Sequence, residues 1–346
     1  MTPTAPPEHN VTGQDYADRR HFRYTGPPLI DIHAHVMITR PDDPRDGPPR
    51  GQGPGGTLDQ AALLLEAAAE FGVARTYSMC PPDDIPPLRA RFGDRLGFIA
   101  YMSKKAIDEP DETAYRLFER FLELGVEVVK FWAAPRGRDR GLFLDAPWRL
   151  EIARRAVAHG LRRFMVHVGD PDAWFRTAYA DAARYGTKAD QYVPLRRLLE
   201  TFPEAVWIAA HMGGDPEHPD HLEALLERYP HLYLDTSATK WQVREVSPRA
   251  EAVRSLIARH PTRFLFGVDL VTRHHLTREH YRSRYWCQRT LWESDLDIPS
   301  PVADPDYSPE VALPGQPATP RLRGLALPCD VLDLVYHGNA RRLLGL

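Results

Sequence analysis

Eight short runs of β-branched and apolar residues recur along this chain, most of them followed by a longer stretch of helical period. That alternation is its tightest constraint. The strand candidates are Leu29–Ala34, Val73–Met79, Leu96–Met102, Val126–Trp132, Arg163–Val168, Ala205–Ala210, Leu232–Asp235 and Arg263–Val268. Helical candidates between them include Leu58–Phe71, Thr113–Leu124, Trp148–His159, His221–Tyr229 and Arg249–His260. Strands separated by helices pair in parallel, and this number of repeats favours a closed (β/α)8 TIM barrel, an α/β fold, over a doubly wound open sheet. A length of 346 residues suits one such barrel with extensions.

The 33 prolines mark where regular structure stops. Many fall in residues 1–28, in 41–56 and in 299–320. Proline lacks the amide hydrogen that helices and central strands need, so these segments read as an arm and two loops. The expected organisation is an N-terminal arm over 1–28 and one barrel domain over 29–346, carrying a Pro/Gly-rich loop at 41–56 and a Pro-rich insertion at 299–320. The first loop follows the first strand and is expected to rim the barrel's carboxyl face.

A formal net charge of −3, with both signs interspersed, gives no electrostatic reason to expect nucleic acid or an anionic membrane. Cys80, Cys287 and Cys329 lie far apart, which suggests neither a disulfide framework nor a thiolate metal site. The N-terminus is polar and proline-rich rather than a signal peptide, and no apolar run reaches the roughly 20 residues of a membrane helix. The expectation is a cytoplasmic protein acting on a small molecule, with a homodimer left open.

The first strand carries Asp31-Ile32-His33-Ala34-His35. Strict alternation predicts Asp31, His33 and His35 on one face and Ile30, Ile32 and Ala34 on the other, toward the helices. Two imidazoles from one strand suit zinc, iron, manganese or nickel. With 15 histidines in the chain, one such pair is weak evidence. Three further strand candidates, however, finish in or just before ligand-type residues. They are RFMVHV with His167, VWIAAH with His211 and RFLFGVD with Asp269. All stand at carboxyl ends, where barrel enzymes place their active sites. A metal site is expected.

The motifs DIHAH, HVGDP, AHMGGDP, FGVDL and HGNARRLLGL, in this order, resemble the amidohydrolase superfamily. Within it they are most similar to the amidohydrolase-related branch that includes aminocarboxymuconate-semialdehyde decarboxylase and the resorcylate decarboxylases. The resemblance runs from about residue 29 to 346. It implies one divalent ion held by His33, His35, His167 and Asp269, expected as zinc with manganese or iron as alternatives. His211 is implied to stand beside the ion and to share catalysis with Asp269. NARRLLGL is similar to the family's closing helix. Lys130, in VVKFW, stands where binuclear relatives carry a carboxylated lysine; one ion is the expected state.

Arg136, Asp170, Thr236, Ser237, Lys240, Arg273, His274 and His275 follow strands and are candidates to line the pocket. Of these, Arg273 and His274 are preferred for binding substrate, with Lys130 as a further substrate or second-metal residue. Trp132 and Trp174 are candidate walls. The resemblance implies a metal-dependent hydrolase of an amide, ester or lactone, in which Asp269 takes a proton from water. The alternative is a non-oxidative decarboxylase of a small carboxylated aromatic or muconate-like substrate. A non-catalytic scaffold and a partner-binding role for the proline-rich segments are rivals that the intact ligand set and the lack of a clear ligand motif disfavour.

Overall fold

A computed structural model of the chain describes residues 7–38, 56–102, 108–307 and 319–346. The strands are β1 (Leu29–His35), β2 (Val73–Cys80), β3 (Leu96–Tyr101), β4 (Val128–Trp132) and β5 (Arg163–His167), then β6 (Val206–Ala209), β7 (Leu232–Asp235), β8 (Phe264–Leu265) and β9 (Leu270–Val271). Helices α1 (Leu58–Glu70), α2 (Ile85–Phe92), α3 (Asp111–Glu123) and α4 (Pro147–Ala158) follow the first four strands. Three more, α5 (Asp172–Arg176), α6 (Ala182–Tyr185) and α7 (Lys188–Thr201), follow β5. The rest are α8 (Pro219–Arg228), α9 (Thr239–Trp241), α10 (Ala250–Arg259), α11 (Arg278–Glu293), α12 (Cys329–Asp333) and α13 (Asn339–Leu344). Outside the main sheet, β10 (Asp297–Pro299) and β11 (Arg321–Arg323) pair antiparallel at the base of the proline-rich insertion.

The nine sheet strands pair in parallel in the order β8-β7-β6-β5-β4-β3-β2-β1-β9. Its two end strands are halves of one segment: β8 pairs with β7, and β9 pairs with β1. Between the halves, Ile32 N donates to Phe266 O at 3.0 Å and Asp269 N to His33 O at 2.7 Å. The sheet therefore curls round into a barrel-like ring whose eighth position is broken, and the break carries Asp269.

Ile30, Ile32, Tyr77, Met79, Ile99, Val128, Met165, Ile208 and Leu265 form the ring's interior, joined by Ala340 and Leu344 of α13. Alternate residues such as Val129, Phe131, Phe164 and Val166 belong to the larger core shared with the helices. Asn339 donates to Pro261 O and Phe264 O at 2.8 Å, which seats α13 at the ring's amino-terminal end. NARRLLGL thus closes the barrel floor.

Strict alternation fails in β1. The register against β2 shifts between Asp31 and Ala34. Ile30 and Ile32 consequently face inward, while Asp31 accepts from Tyr285 of α11 at 2.9 Å. An irregularity adds one residue to the count and turns His33 back into the ring, so the expected shared face of Asp31 with the histidines is corrected. Burial pushes the Asp31 carboxyl up to about 7.

Helix α11 has no clean apolar stripe, yet it is buried almost all round because the N-terminal arm covers it. Tyr16 and His21 pack on Trp286, with ring centroids 5.9 and 5.2 Å away. Glu293, fully buried, accepts from the backbone N–H groups of Arg23 and Tyr24, at 2.8 and 2.9 Å. It also accepts from Arg289 and from Tyr336. Removing one partner of a buried pair leaves an uncompensated charge, so Arg289→Ala should cost about 3–5 kcal/mol in urea unfolding. A loss below about 1 kcal/mol, the scale of exposed pairs, would mean that the arm does not bury this pair in solution.

Candidate active site

The carboxyl ends of the strands open into a cavity of about 470 Å3 lined by His33, His35, Lys130, His167, His211 and Asp269 among others. A larger hollow of about 640 Å3 lies beside α4 and the segment before it, with Tyr115 of α3 and Arg197 of α7 at its edges, and holds none of these residues. The chemistry-bearing groups share the smaller one.

Asp269 Oδ1 stands 3.3 Å from His33 Nε2 and 3.3 Å from His35 Nε2. These three residues offer donor atoms within 4.8 Å of one another. The other nitrogen of His33 is fixed from behind: Nδ1–H donates to Asp235 Oδ2 at 2.7 Å. A carboxylate there sets the tautomer and leaves the Nε2 lone pair for the cavity. Burial alone would raise the Asp269 carboxyl, but its electrostatic interactions with the imidazoles of His33 and His35 outweigh it and hold it well below the usual carboxylate range.

Asp235 organises more than His33. Fully buried, it also accepts from the His211 and Ser237 backbone N–H groups at 2.8 and 3.0 Å and from the Ser237 hydroxyl. With its proton given to Asp235, Ser237 Oγ is the acceptor for His211 Nδ1–H at 2.8 Å. The Nε2 lone pair of His211 is then free. Burial depresses the imidazole's pKa well below its ordinary value, so the ring is neutral at pH 7. His167 has the opposite tautomer: its Nε2–H donates to Asp170 Oδ1 at 2.8 Å, and Tyr179 holds the other Asp170 oxygen at 2.6 Å. Its ring centroid lies 4.9 Å from that of His211. No grouping of close donor atoms among the described residues includes His167.

Backbone strain collects here. His211, Met212, Ala238 and Asp269 have φ of 57, 52, 68 and 64°. Left-handed backbone is costly for residues with a Cβ and persists where the surroundings over-determine it, commonly at functional sites. Gly214 shows a harder limit: φ is +73°, and an added Cβ would lie 2.0 Å from Gly169 O. The loops after β5 and β6 thus touch backbone to backbone, beside His167 and His211. Gly214→Ala should lose about 2–4 kcal/mol in urea unfolding, from strain and overpacking together. Gly213→Ala, also left-handed but with no atom nearer than 3.5 Å, should lose only about 1 kcal/mol. Equal losses would show that the loop contact does not form.

Lys130 Nζ is buried in the cavity wall with no hydrogen-bond partner among the described residues. Desolvation lowers its pKa to about 8, against the pull of Asp235 and Asp269. Arg136, Asp170, Lys240, Trp132 and Trp174 line the cavity. Arg273 and His274 do not, contrary to expectation. Thr272 N donates to His35 O at 3.0 Å and Met37 N to Thr272 Oγ1 at 2.8 Å, and Arg273, next in the chain, is buried but outside the cavity lining. His274 and His275 are exposed, and the His274 carbonyl accepts from Gln60. Thr236 and Ser237 are buried behind the lining. Asp235 and Trp241 were missed by sequence reasoning. Asp235 carried the same signal as the others, an acid ending the apolar run LYLD. The loop at 41–56 falls almost wholly outside the described residues.

The family model of the amidohydrolases matches residues 30–346. The chain belongs to the amidohydrolase family. It is thus an enzyme, and this assignment agrees with the order of motifs from DIHAH to NARRLLGL. A search of the curated proteins finds no match to this amidohydrolase. Among solved structures it is similar to a manganese-bound 5-carboxyvanillate decarboxylase from Novosphingobium aromaticivorans, with 14% identity, a TM-score of 0.51 and coverage of 93% of this chain and 98% of that one. An organophosphorus hydrolase from Deinococcus radiodurans gives 15% identity and a TM-score of 0.51, covering 92% and 93%. A lactonase from Listeria monocytogenes gives 12% and 0.50, covering 92% and 94%. At such identities the likeness shows the fold alone. Among the described residues of this amidohydrolase, no helix is long and apolar enough to cross a membrane.

Proposed function

We propose that the protein is a metal-dependent hydrolase acting on the amide, ester or lactone carbonyl of a small molecule. The observation that carries this is the convergence of His33 Nε2, His35 Nε2 and Asp269 Oδ1 at 3.3 Å spacings in the cavity. That donor set fits one divalent ion: two neutral imidazole nitrogens and an ionised carboxylate, with Asp235 orienting the first imidazole. His167 supplies the fourth donor through Nδ1, the nitrogen that Asp170 leaves bare. Zinc is the ion proposed; manganese, bound in the decarboxylase of similar fold, is the main competitor.

When bound, the ion supplies Lewis acidity, acidifying water and polarising a carbonyl. The chain's own residues do the rest. Asp269 stays ionised and offers its second oxygen to a proton released by water. His211, with Nδ1–H tied to Ser237, can take up or return a proton at Nε2 and orient the reacting carbonyl. Trp241, 5.4 Å from His211 between ring centroids, and Tyr101, 5.4 Å from His35, narrow the cavity around them.

Decarboxylation of a carboxylated substrate is the second reading, favoured by one observation: the buried Lys130 ammonium has no hydrogen-bond partner among the described residues and lies in the same cavity wall as the proposed donors. The 346-residue chain loaded with zinc or manganese should be offered lactones, esters and amides alongside carboxylated aromatics. Acid release from the first group is expected. CO2 release from the second group alone would replace hydrolysis with decarboxylation.

A further inference from the structure

The N-terminal arm sends one side chain into the wall of the active-site cavity. Glu8 Oε1 accepts from Arg284 at 2.7 Å and stands 3.1 Å from His280 Nδ1, while Oε2 accepts from Lys240 Nζ at 2.9 Å. Arg284, His280 and Lys240 all line the cavity that holds His33, His35 and Asp269. Glu8 does not line it; it reaches these groups from the arm. Both of its oxygens are gripped, each by a different cation, which is how a protein holds a carboxylate.

The two ends of this contact differ in how firmly they are built. Arg284 projects from the long helix α11 and its side chain is 7% exposed, whereas that of Glu8 is 47% exposed. The arm's backbone is anchored independently, by Ala303 N donating to Glu8 O and Val11 N to Pro301 O, both at 2.8 Å. The Glu8 side chain can therefore leave by rotation without moving the arm. Two full cations also face a single carboxylate, so one positive charge remains over at this wall. Such an excess, in a partly dry cavity, favours a second anion.

We infer that Arg284, Lys240 and His280 form a subsite for a carboxylate group of the substrate, and that Glu8 is an internal ligand competing for it. This deepens the functional reading by naming a carboxylated substrate class, and rests on it for the site but not for the reaction. An incoming carboxylate takes the Arg284 and Lys240 contacts, and the arm's acid swings to solvent. Affinity for the substrate is then lowered by the fraction of time that Glu8 occupies the site.

The test is binding, not turnover. Isophthalate, a small aromatic dicarboxylate, is titrated calorimetrically into the full chain and its Glu8→Gln variant, each with and without added zinc. The uncharged isophthalamide is the control. Glu8→Gln should bind isophthalate about 10-fold more tightly, the gain expected when a competitor occupying nine-tenths of the site is removed. Adding Arg284→Gln to that variant should abolish the gain, and isophthalamide should show none. Because the gain is read without metal as well as with it, it can appear even if the proposed hydrolysis is wrong. Unchanged isophthalate affinity in Glu8→Gln, or an equal gain for isophthalamide, would overturn the subsite. So would a lowered melting temperature with no gain in binding, since Glu8 would then be only a strap for the arm.

Discussion

The His33→Ala, His35→Ala double variant is expected to bind no divalent ion at the site and to lose all turnover. Both imidazoles come from one strand, and both aim Nε2 at Asp269 Oδ1. Two of the four proposed donors vanish together, leaving Asp269 and His167, too few to hold an ion against water. The fold should survive, because the ring closes through backbone bonds at Ile32 and His33 that alanine retains. Metal content by plasma mass spectrometry, beside a circular dichroism spectrum, reads both outcomes. One full equivalent of metal in a folded double variant would place the ion elsewhere. Asp235→Asn tests the same site from behind: the His33 tautomer loses its anchor, and metal affinity should fall about 10–100-fold.

How far such a site could be read from sequence depended on where each residue's signal lay. His167 ends an apolar run, and the runs before His211 and Asp269 were equally plain; all three face the cavity where the barrel's geometry puts them. The resemblance of the motifs added the roles. What failed was local. The irregularity in β1 is a register effect between strands distant in sequence, so DIHAH alone could not show that Asp31 faces α11 while Ile32 faces inward. The eighth strand candidate, Arg263–Val268, ran past the end of β8 at Leu265 because Phe266 and Val268 are as apolar as any strand residue, and it stopped short of β9. Helix α11 was obscured for another reason. Arg284, Gln288, Arg289 and Glu293 are buried and bonded to the arm or to α9, so no polar face marks its period. Arg273 and His274 were chosen by their nearness to Asp269 in sequence; His274 is exposed, and Arg273, though buried, is not among the residues that line the cavity.

His211→Ala should keep the ion and lose roughly 100-fold or more in turnover, the size of a general acid–base contribution. Three features of the ring support this. It stands outside the His33, His35 and Asp269 donor group, so one ion does not require it. Ser237 and Asp235 hold its Nδ1 side, which aims the free Nε2 rather than leaving the ring to rotate. Burial keeps it neutral at pH 7, so its lone pair is available without first losing a proton. His211 holds a left-handed backbone, which histidine visits more readily than alanine, so a urea unfolding curve of the variant separates added strain from lost chemistry. Asp269→Ala provides the contrast, since it removes a proposed donor along with the proton acceptor and should lower metal affinity and turnover together. Asp235→Asn should lie between them. If His211→Ala instead sheds a second equivalent of metal, the site holds two ions. The cluster of His33, His211 and Asp235 would then have to be weighed as part of it, and Lys130, buried in the same wall with no hydrogen-bond partner among the described residues, becomes the group whose carboxylation would bridge them.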